Sequence, residues 1–387
     1  MRVNVIRGSK QIGGSIIEVA SEQTRLILDA GSELGESVPQ PPDVEGLFCG
    51  APAHDAVLIS HYHSDHLGLL DYVLPSIPVY MGEKAYAVYE RQCVYVGKSA
   101  REGITTFKPL ERFDIGGIRI TPFLCDHSAF DSYMFLLEDG KQKVIYTGDF
   151  RSNGRKSFDH LLAQLPEADT LIIEGTTLSG DHALAQTEAN LENEAVKLIK
   201  GAGDAPVFVN MASTNIDRIV TFFRTAKRTG RVFLQDAYTA SITAAIGGNI
   251  PNPEFPEVRV FLTRPTKRDR AILERFPDSK IGRRGISKER FVMMVRPSMA
   301  GYLEKLSKEM RFDGGLLVYS LWEGYKDDDR TSAFLERMDE LGLTIVDLHV
   351  SGHADVEAIE RLIDTVKPRE IIPVHTENAA WFERFNK

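Results

Sequence analysis

Short apolar runs separated by turn residues dominate the first 175 positions of the chain and predict a strand-rich region. Each run is five to seven residues long, which suits a strand better than a helix. Turn signals, such as the stretch from Glu138 to Gly140, separate neighbouring runs. The pattern predicts strands at 14–20, 25–29, 56–60, 118–123, 133–137 and 143–147, and a helix at 83–95.

From about residue 169 the apolar pattern alternates between strand and helix periodicity. Such alternation is typical of βαβ units on a mostly parallel sheet. The change near residue 175 is a change of pattern and not a linker, so we expect one domain to be inserted into another. The predicted strands are 170–173, 206–210, 231–234, 316–320, 343–350 and 370–374, and the predicted helices are 188–200, 216–227, 238–246, 331–341 and 356–366.

The composition is that of an ordinary globular protein, with 387 residues of which 43% are hydrophobic and 26% are charged. No apolar run approaches the ~20 residues needed to cross a bilayer, so we expect no membrane association. Three cysteines without metal-type spacing predict no disulfide framework. With no signal-peptide pattern at the N-terminus, a cytoplasmic location is expected.

The charge is unevenly distributed. The net charge of −9 argues against a protein that coats nucleic acid non-specifically, because such binding depends on neutralising phosphates. Residues 264–296, however, contain eleven Lys/Arg and four Asp/Glu, a local charge of +7. This stretch is either a solvated face or a binding surface.

The strongest chemical signal directly follows the predicted strand at 56–60. Alternation along an extended segment points His61 and His63 in the same direction, and the following turn brings Asp65 and His66 to a neighbouring point. Imidazoles suit zinc and related ions, and a carboxylate adds charge and an oxygen ligand. The run therefore predicts ligands for two adjacent metal ions.

Three other strand ends carry candidate groups. His127 follows the strand at 118–123 and is a candidate third ligand for one metal. Asp149 ends the strand at 143–147, and its two oxygens can bridge cations about 3.5–4 Å apart. Asp29 is expected either to orient a ligand histidine or to be a plain turn residue.

In order and spacing, Asp29, the run from His61 to His66, His127 and Asp149 resemble the four motifs of the metallo-β-lactamase fold. The resemblance continues beyond them. Glu174 is similar to motif A of the β-CASP branch, and segments 349–355 and 372–377 are similar to motifs B and C; segments 210–218 and 319–325 resemble parts of the β-CASP insert. The chain thus resembles the RNase J-type ribonucleases.

This resemblance implies an α/β fold in which a metallo-β-lactamase αββα sandwich contains an inserted β-CASP α/β domain with a mostly parallel sheet. The expected domains are 1–175, the first part of the metallo-β-lactamase domain, 176–342, the β-CASP insert, and 343–387, the closing part. RNase J-type proteins continue further after motif C, whereas twelve residues follow His375 here. We therefore expect a truncated member, for which a homodimer is one possible state.

The resemblance also implies two divalent metal ions, expected to be zinc with manganese as the alternative. Asp149 would bridge the two ions, and Asp29 would orient a ligand. The implied ligands are His61, His63 and His127 for one ion, and Asp65, His66 and His375 for the other.

Glu174 would orient His353, which would contact the scissile phosphate and protonate the leaving oxygen. Histidine suits this role because its pKa lies near the working pH. The residues implied in catalysis are Asp65, Asp149, Glu174 and His353, and those beside the substrate phosphate are His349, Ser351 and His353.

In this family a histidine at motif C, here His375, accompanies RNA-processing members. The expected function is a metal-dependent ribonuclease that hydrolyses single-stranded RNA, as an endonuclease, a 5′-exonuclease or both. Trp322 and Tyr325 are candidates for stacking on bases, although a core Trp beside a turn Tyr is the simpler interpretation. Gly175 departs from the family, in which a small hydroxyl residue usually follows the motif A acid.

Two other functions remain open from the sequence. One is a binuclear-metal hydrolase of a small ester, thioester or phosphodiester, which the low pI favours and which motif B and the long insert disfavour. The other is an RNA-binding subunit without catalysis, although every expected metal ligand is present in this chain.

Overall fold

The computed structural model describes residues 1–36, 38–179, 186–264 and 266–385. The chain divides into two compact units, the first made of Met1–Ala185 and Gly352–Lys387, the second of Gln186–Ser351. The second unit is thus inserted into the first along the chain. The domain bounds from the sequence pattern lie somewhat earlier and stay a prediction.

No helix among the described residues is both long and apolar enough to cross a membrane.

Short strands and helices alternate along the chain. The strands are β1 (Arg2–Arg7), β2 (Ile16–Ala20), β3 (Arg25–Leu28), β4 (Ala56–Ile59), β5 (Val79–Gly82), β6 (Ile104–Phe107), β7 (Phe113–Ile115), β8 (Ile118–Cys125), β9 (Ser132–Glu138), β10 (Lys143–Tyr146), β11 (Thr170–Glu174), β12 (Val207–Asn210), β13 (Val232–Asp236), β14 (Val258–Phe261), β15 (Phe291–Val295), β16 (Gly315–Tyr319), β17 (Leu343–Asp347) and β18 (Glu370–Val374). The helices are α1 (Ser64–Leu67), α2 (Glu83–Val96), α3 (Phe158–Leu162), α4 (Glu188–Gly201), α5 (Ile216–Arg228), α6 (Ala237–Ile246), α7 (Lys267–Glu274), α8 (Arg283–Ile286), α9 (Ala300–Leu306), α10 (Asp329–Glu340) and α11 (Val356–Val366).

The first unit contains two six-stranded sheets, in the orders β1-β2-β3-β4-β5-β6 and β18-β11-β10-β9-β8-β7. One buried apolar cluster joins their inner faces, with Ile17 and Leu58 from the first sheet and Phe135 and Val374 from the second. Helix α2 packs against β5 and β6, and α3 and α11 cover the outer face of the second sheet. These four layers confirm the expected αββα sandwich.

Helix α11 illustrates how the sequence specifies these layers. Its buried residues Ile359, Leu362, Ile363 and Val366 follow the i, i+3, i+4, i+7 spacing of one helix face. Asp355 caps the start by accepting a hydrogen bond from the backbone N–H of Ala358 at 2.8 Å. The predicted bounds of this helix agree with the structure.

The second unit contains one six-stranded sheet in the order β14-β13-β15-β12-β16-β17, in which every strand pair is parallel. Its inner strands β12 and β15 are buried at every position, as expected for a sheet covered on both faces. Parallel neighbours require crossover connections, which the intervening helices supply. The prediction of a mostly parallel inserted sheet is confirmed.

Two predictions for the second unit are corrected. The strand predicted at 343–350 ends at Asp347, and β17 pairs with β16 as the last strand of the inserted sheet. Trp322 is 61% exposed, so the interpretation as a core Trp is wrong. Strand β16 ends at Tyr319, and the 3₁₀ turn Glu323–Asp327 that follows leaves the indole in solvent, edge-to-face with Tyr325 at 5.4 Å.

A buried ion pair connects several elements of the second unit. Arg218 of α5 and Glu188 of α4 are fully buried, with Nη2 to Oε1 at 3.1 Å. The Arg218 guanidinium also donates to the carbonyl oxygens of Ser320 and Val350, at 3.0 and 3.1 Å. Thr221 donates to the second Glu188 oxygen at 2.7 Å. The Arg218 guanidinium therefore joins two helices, the end of β16 and the segment after β17.

Removal of this guanidinium should destabilise the protein strongly. We expect Arg218→Ala to lower the free energy of unfolding by about 3–5 kcal/mol, because Glu188 is left buried without its cation. Denaturant unfolding followed by circular dichroism measures this loss. Arg224→Ala is the matched control, since Arg224 lies on the same helix with its side chain 56% exposed, and should stay within about 0.5 kcal/mol of wild type. Equal effects of the two variants would contradict the prediction.

Candidate metal centre

The candidate site of the first unit lies where strands of both sheets end. In each case the polar group is the last residue of a strand or lies within three residues after its carboxyl end. Such ends bring side chains that are distant in sequence to one edge. The strand ends are those of β3 (Asp29), β4 (His61), β8 (His127), β10 (Asp149), β11 (Glu174) and β18 (His375).

The run after β4 turns as the sequence predicts. His63 is extended, with φ −71° and ψ 149°, and α1 starts at the next residue. Because of that helical turn, Asp65 and His66 are buried on the inner side. Gly148 allows this loop to pack closely on the β10 loop: its φ is +51°, and a Cβ there would lie 2.8 Å from the Cβ of Ser60.

One cluster consists of His61, His63 and His127, whose nitrogen atoms lie within 4.8 Å of one another. The Nδ1 atoms of His61 and His127 are engaged, with Ser60 Oγ at 3.0 Å and the carbonyl of Gly352 at 2.5 Å. Their Nε2 atoms are therefore the ones that face the site, together with Nδ1 of His63, 3.2 Å from Nε2 of His127. Burial lowers the pKa of His63 to about 4 and those of His61 and His127 well below the ordinary value. Neutral imidazole is the form that binds metal ions.

A second cluster consists of Asp65, His66, Asp149 and His375, all buried, with their ligand atoms within 4.8 Å. His66 Nε2 lies 3.2 Å from Asp149 Oδ2, and His375 Nε2 lies 3.0 Å from Asp65 Oδ2. Burial raises the pKa of Asp65, but the charge of His66 and the hydrogen bond with His375 outweigh it and leave that pKa low. This cluster offers two imidazoles and two carboxylates.

Asp29 lies behind His66 and contacts its Nδ1 atom. Its Oδ2 atom accepts hydrogen bonds from His66 Nδ1 at 2.7 Å and from the Tyr146 hydroxyl at 2.6 Å. Ser60 donates to both carboxylate oxygens, through its backbone N–H at 2.7 Å and its hydroxyl at 2.8 Å. A plain turn aspartate would not be fully buried with four donors, so the contacts favour the orienting role predicted for Asp29.

A similar chain of hydrogen bonds holds His375. The Thr176 hydroxyl donates to Glu174 Oε2 at 2.6 Å and therefore accepts from His375 Nδ1 at 2.8 Å. In the neutral form of His375 the lone pair on Nε2 then faces the Asp65 carboxylate, 3.0 Å away. Two acceptors at that distance repel each other, so a proton or a cation has to lie between them. The Nε2 atom of His66, whose Nδ1 contacts Asp29, faces Asp149 at 3.2 Å and has the same requirement.

Asp149 is the centre of the arrangement. Its Oδ2 atom lies between 3.2 and 3.9 Å from a nitrogen of each of five histidines: His61, His66, His127, His353 and His375. Burial raises the pKa of this carboxyl group. The surrounding histidines have the larger, opposite effect and leave this pKa well below its usual range.

The unsatisfied atoms of the site fit divalent metal ions. Both oxygens of Asp149 and the Nε2 atoms of His61 and His66 are buried without a hydrogen-bond partner among the described residues. Buried polar atoms without partners are costly, and a cation would satisfy all four. Two neighbouring sets of imidazole and carboxylate groups suit ions such as zinc or manganese.

His353 and Glu174 form a third group beside Asp149 and His375. His353 Nδ1 lies 3.2 Å from Glu174 Oε2 and 3.6 Å from Asp149 Oδ2. Burial lowers the pKa of His353, but Glu174 and Asp149 outweigh it and raise that pKa to about 9. Its side chain is 25% exposed, whereas Glu174 is fully buried, so His353 has a face open to solvent.

The motif B residues divide between the two units. His349 and Ser351 follow β17 in the second unit, and His353 belongs to the first. The placement of His349 and Ser351 beside a substrate phosphate stays a prediction.

The sequence reasoning missed Ser60, Tyr146 and Thr176, which orient the candidate ligands. Thr176 had a signal, because it lies two residues after the motif A acid. At position 175 the resembled family usually has a hydroxyl residue, whereas this chain has glycine. Here a hydroxyl contacts Glu174 from the next position, Thr176. A Cβ at position 175 would lie 2.8 Å from Leu178 Cδ1 and 2.9 Å from Thr376 Oγ1, so a larger residue is disfavoured.

Comparison with known protein families agrees with this geometry. A family described as "Beta-lactamase superfamily domain" matches residues 24–209. A second, described as "Zn-dependent metallo-hydrolase RNA specificity domain", matches residues 340–383. The chain belongs to the metallo-β-lactamase superfamily. The matched ranges include the two candidate ligand clusters, from Asp29 to Asp149 and at His375.

Several curated members of the superfamily resemble the chain. It is 22% identical to ribonuclease J of Sinorhizobium meliloti, over 84% of this chain and 58% of that protein. It is 23% identical to ribonuclease J of Mycobacterium tuberculosis, over 97% of this chain and 68% of that protein. Endoribonuclease ysh-1 of Neurospora crassa is 29% identical over 44% of this chain and 23% of its own length.

Among solved structures, a protein of unknown function from Enterococcus faecalis superposes with a TM-score of 0.82, covering 98% of this chain and 94% of that one. At 21% identity this likeness shows the fold alone.

A cavity of about 520 Å³ also exists in the second unit, lined by residues such as Arg231 and Glu257. None of its lining residues belongs to the clusters described above.

Loss of the Asp29 carboxylate charge should weaken metal binding. We expect Asp29→Asn to lower metal affinity by about 10- to 100-fold, as is usual when a partner that orients a ligand histidine is removed. Competition against a chelator, followed by metal analysis, measures this change. Asp159→Asn removes an exposed carboxylate from the same unit and is the control. Equal metal affinity of Asp29→Asn and wild type would refute the orienting role.

Proposed function

We propose that this protein is a metal-dependent ribonuclease that hydrolyses RNA phosphodiester bonds with a water activated by two divalent ions, most simply zinc. The observation that carries the proposal is the position of Asp149, whose carboxylate stands between two ligand sets and within 3.9 Å of five histidines. A carboxylate in this position suits the bridge between two ions.

In this proposal Asp149 would help to hold both ions. When bound, divalent ions supply an acidified water as nucleophile and positive charge opposite the phosphoryl oxygens. The remaining chemistry belongs to the side chains that hold the ions in place. His61, His63 and His127 would hold one ion, and Asp65, His66 and His375 the other.

The chain's own acid–base group is His353. Its Nδ1 atom is held by Glu174, and the partly exposed ring can reach a substrate. We therefore assign to His353 the contact with the scissile phosphate and the proton transfer to the leaving oxygen. Glu174 is a positioning residue, since it is fully buried and also accepts hydrogen bonds from Thr176 and from the backbone N–H of Phe150 at 2.8 Å. His349 and Ser351 are proposed to line the phosphate.

The choice of RNA rests on the similar proteins and the second family match. Three of the relatives named above are a ribonuclease or an endoribonuclease. The family that matches residues 340–383, which include His353 and His375, is named for RNA specificity. Single-stranded RNA is the proposed substrate, because a strand free of pairing can enter a buried metal site.

The first test of this function is metal-dependent cleavage. We expect the purified protein to degrade single-stranded RNA with zinc or manganese present, and His61→Ala and Asp149→Asn to abolish the activity. Gel analysis of RNAs labelled at either end, with a 5′-monophosphate or 5′-triphosphate, measures cleavage and its direction. His160→Ala, which removes an exposed histidine from the same unit, is the control and should be fully active.

Full activity in either ligand variant would contradict the metal centre. If RNA instead fails to inhibit turnover of a small phosphodiester by the wild-type protein, the ribonuclease assignment fails and a small-molecule hydrolase is favoured. Less than one equivalent of tightly bound metal would favour a binding subunit without catalysis.

The second test addresses the acid–base pair. We expect His353→Gln to lower kcat by about 10²–10⁴ without loss of bound metal, because a general acid is removed and no proposed ligand changes. Glu174→Gln should also lower kcat, and the double variant should be no slower than His353→Gln alone if Glu174 acts through His353. Glu167→Gln, an exposed control, should leave kcat unchanged. Additive losses in the double variant would show that the two residues act independently.

A further inference from the structure

The second unit carries an exposed group of cations that the proposed chemistry does not use. Residues 264–296 have a charge of +7, and since the whole chain carries −9, the rest of the chain carries −16. Between residues 267 and 288, seven cations are exposed and have no acidic oxygen within 4.0 Å among the described residues. They are Lys267, Arg270, Arg275, Lys280, Arg283, Arg284 and Lys288, and we call them the basic rim.

The basic rim follows one edge of the inserted sheet. Helix α7 packs through Leu273 against Val260 of β14, the last strand on that side. The chain then runs along the free side of β14, where the Ile281 backbone N–H donates to the Val260 carbonyl at 2.9 Å. Ile286 of α8 packs with Phe261, on the opposite face of the same strand. The segment therefore wraps around the β14 edge from one face of the sheet to the other.

Three other arginines of this segment have acidic partners. Arg290 pairs with Asp204 at 2.8 Å and Arg296 pairs with Asp236 at 2.6 Å. Asp269 is buried beside Arg268, at 3.4 Å. These paired groups have structural partners, whereas the basic rim leaves its charge directed to solvent.

Resting on the proposed function, we propose that the basic rim is a second RNA-binding surface, which binds the phosphate backbone of the substrate with residues other than those of the cleavage site. A polyanion is the partner that exposed unpaired cations fit best, because phosphate contacts release counterions. Four of the seven are arginines, which bind phosphate oxygens in pairs. Outside residues 264–296 the second unit has 14 Lys/Arg and 19 Asp/Glu, a net charge of −5, so the rim is the favoured contact for RNA within this unit.

A simpler explanation for these charges is protection of the β14 edge, since exposed sheet edges are often guarded by lysine against aggregation. The two explanations differ in one respect. Edge protection needs charge of either sign, whereas RNA binding needs positive charge. A variant with reversed charge keeps the protection and destroys the RNA contact.

The test compares two variants with equal changes in net charge. The rim variant carries Arg270→Glu, Lys280→Glu and Arg284→Glu. The control carries Lys197→Glu, Lys200→Glu and Lys308→Glu, three exposed lysines of the same unit outside the rim. Each is combined with Asp149→Asn to prevent cleavage, and binding of a fluorescent, unstructured single-stranded RNA is titrated over a range of salt concentrations.

We expect the rim variant to bind RNA roughly 10- to 100-fold more weakly at about 0.1 M salt. Its plot of log affinity against log salt should be less steep by about 2, since each phosphate contact on a single strand contributes about 0.7. The control should match the protein with Asp149→Asn alone. If the reversal variant is poorly folded by circular dichroism, Arg270→Gln, Lys280→Gln and Arg284→Gln carry the same test.

Cleavage assays without Asp149→Asn separate the two proposals. If the basic rim binds RNA, KM for RNA should rise in the rim variant, and turnover of a small phosphodiester should be unchanged. If wild type cleaves RNA and the rim variant equals the control in affinity and salt slope, the rim proposal is overturned and the ribonuclease proposal stands. If wild type neither binds nor cleaves RNA, both proposals fall.

Discussion

A single buried carboxylate sets the main constraint on this structure. Asp149 is surrounded by five histidines, and a buried carboxylate of this kind is stable only with compensating positive charge. The surrounding elements meet that condition. They contact four of the five imidazoles at the nitrogen that faces away from Asp149, as Asp29 does for His66 and Thr176 for His375. The near nitrogens are thereby directed to the same small volume, which is what a metal centre requires.

This requirement explains the placement of the strands. The groups that meet at Asp149 come from positions as distant as Asp65 and His375, which are 3.0 Å apart in space. Only strands that end at a common edge bring such distant positions together without a long loop. The two sheets of the first unit supply these ends, and the αββα layers bury their other sides in apolar clusters. The core thus supports the strand ends that carry the site.

Much of this was predictable from the sequence, and the misses have physical causes. The run from His61 to His66 was clear because residue type, spacing and a preceding apolar strand all agree. Helix α11 was clear because its apolar spacing matches one helix face. Trp322 was misjudged because aromatic residues usually pack in cores, and exposure depends on where β16 ends. Thr176 was missed because its one signal, the position two residues after Glu174, does not show that its hydroxyl also contacts His375.

The net charge of the chain says less about RNA binding than the positions of its charged groups do. A net charge of −9 counts buried carboxylates such as Asp65, Asp149 and Glu174 as if they faced solvent. Two divalent ions would offset four negative charges at the site, and the basic rim already concentrates exposed positive charge on another part of the chain. An acidic protein organised in this way repels RNA over most of its surface. Binding would then be confined to the few places where cations are unpaired, so a negative total charge favours selectivity and does not argue against an RNA substrate.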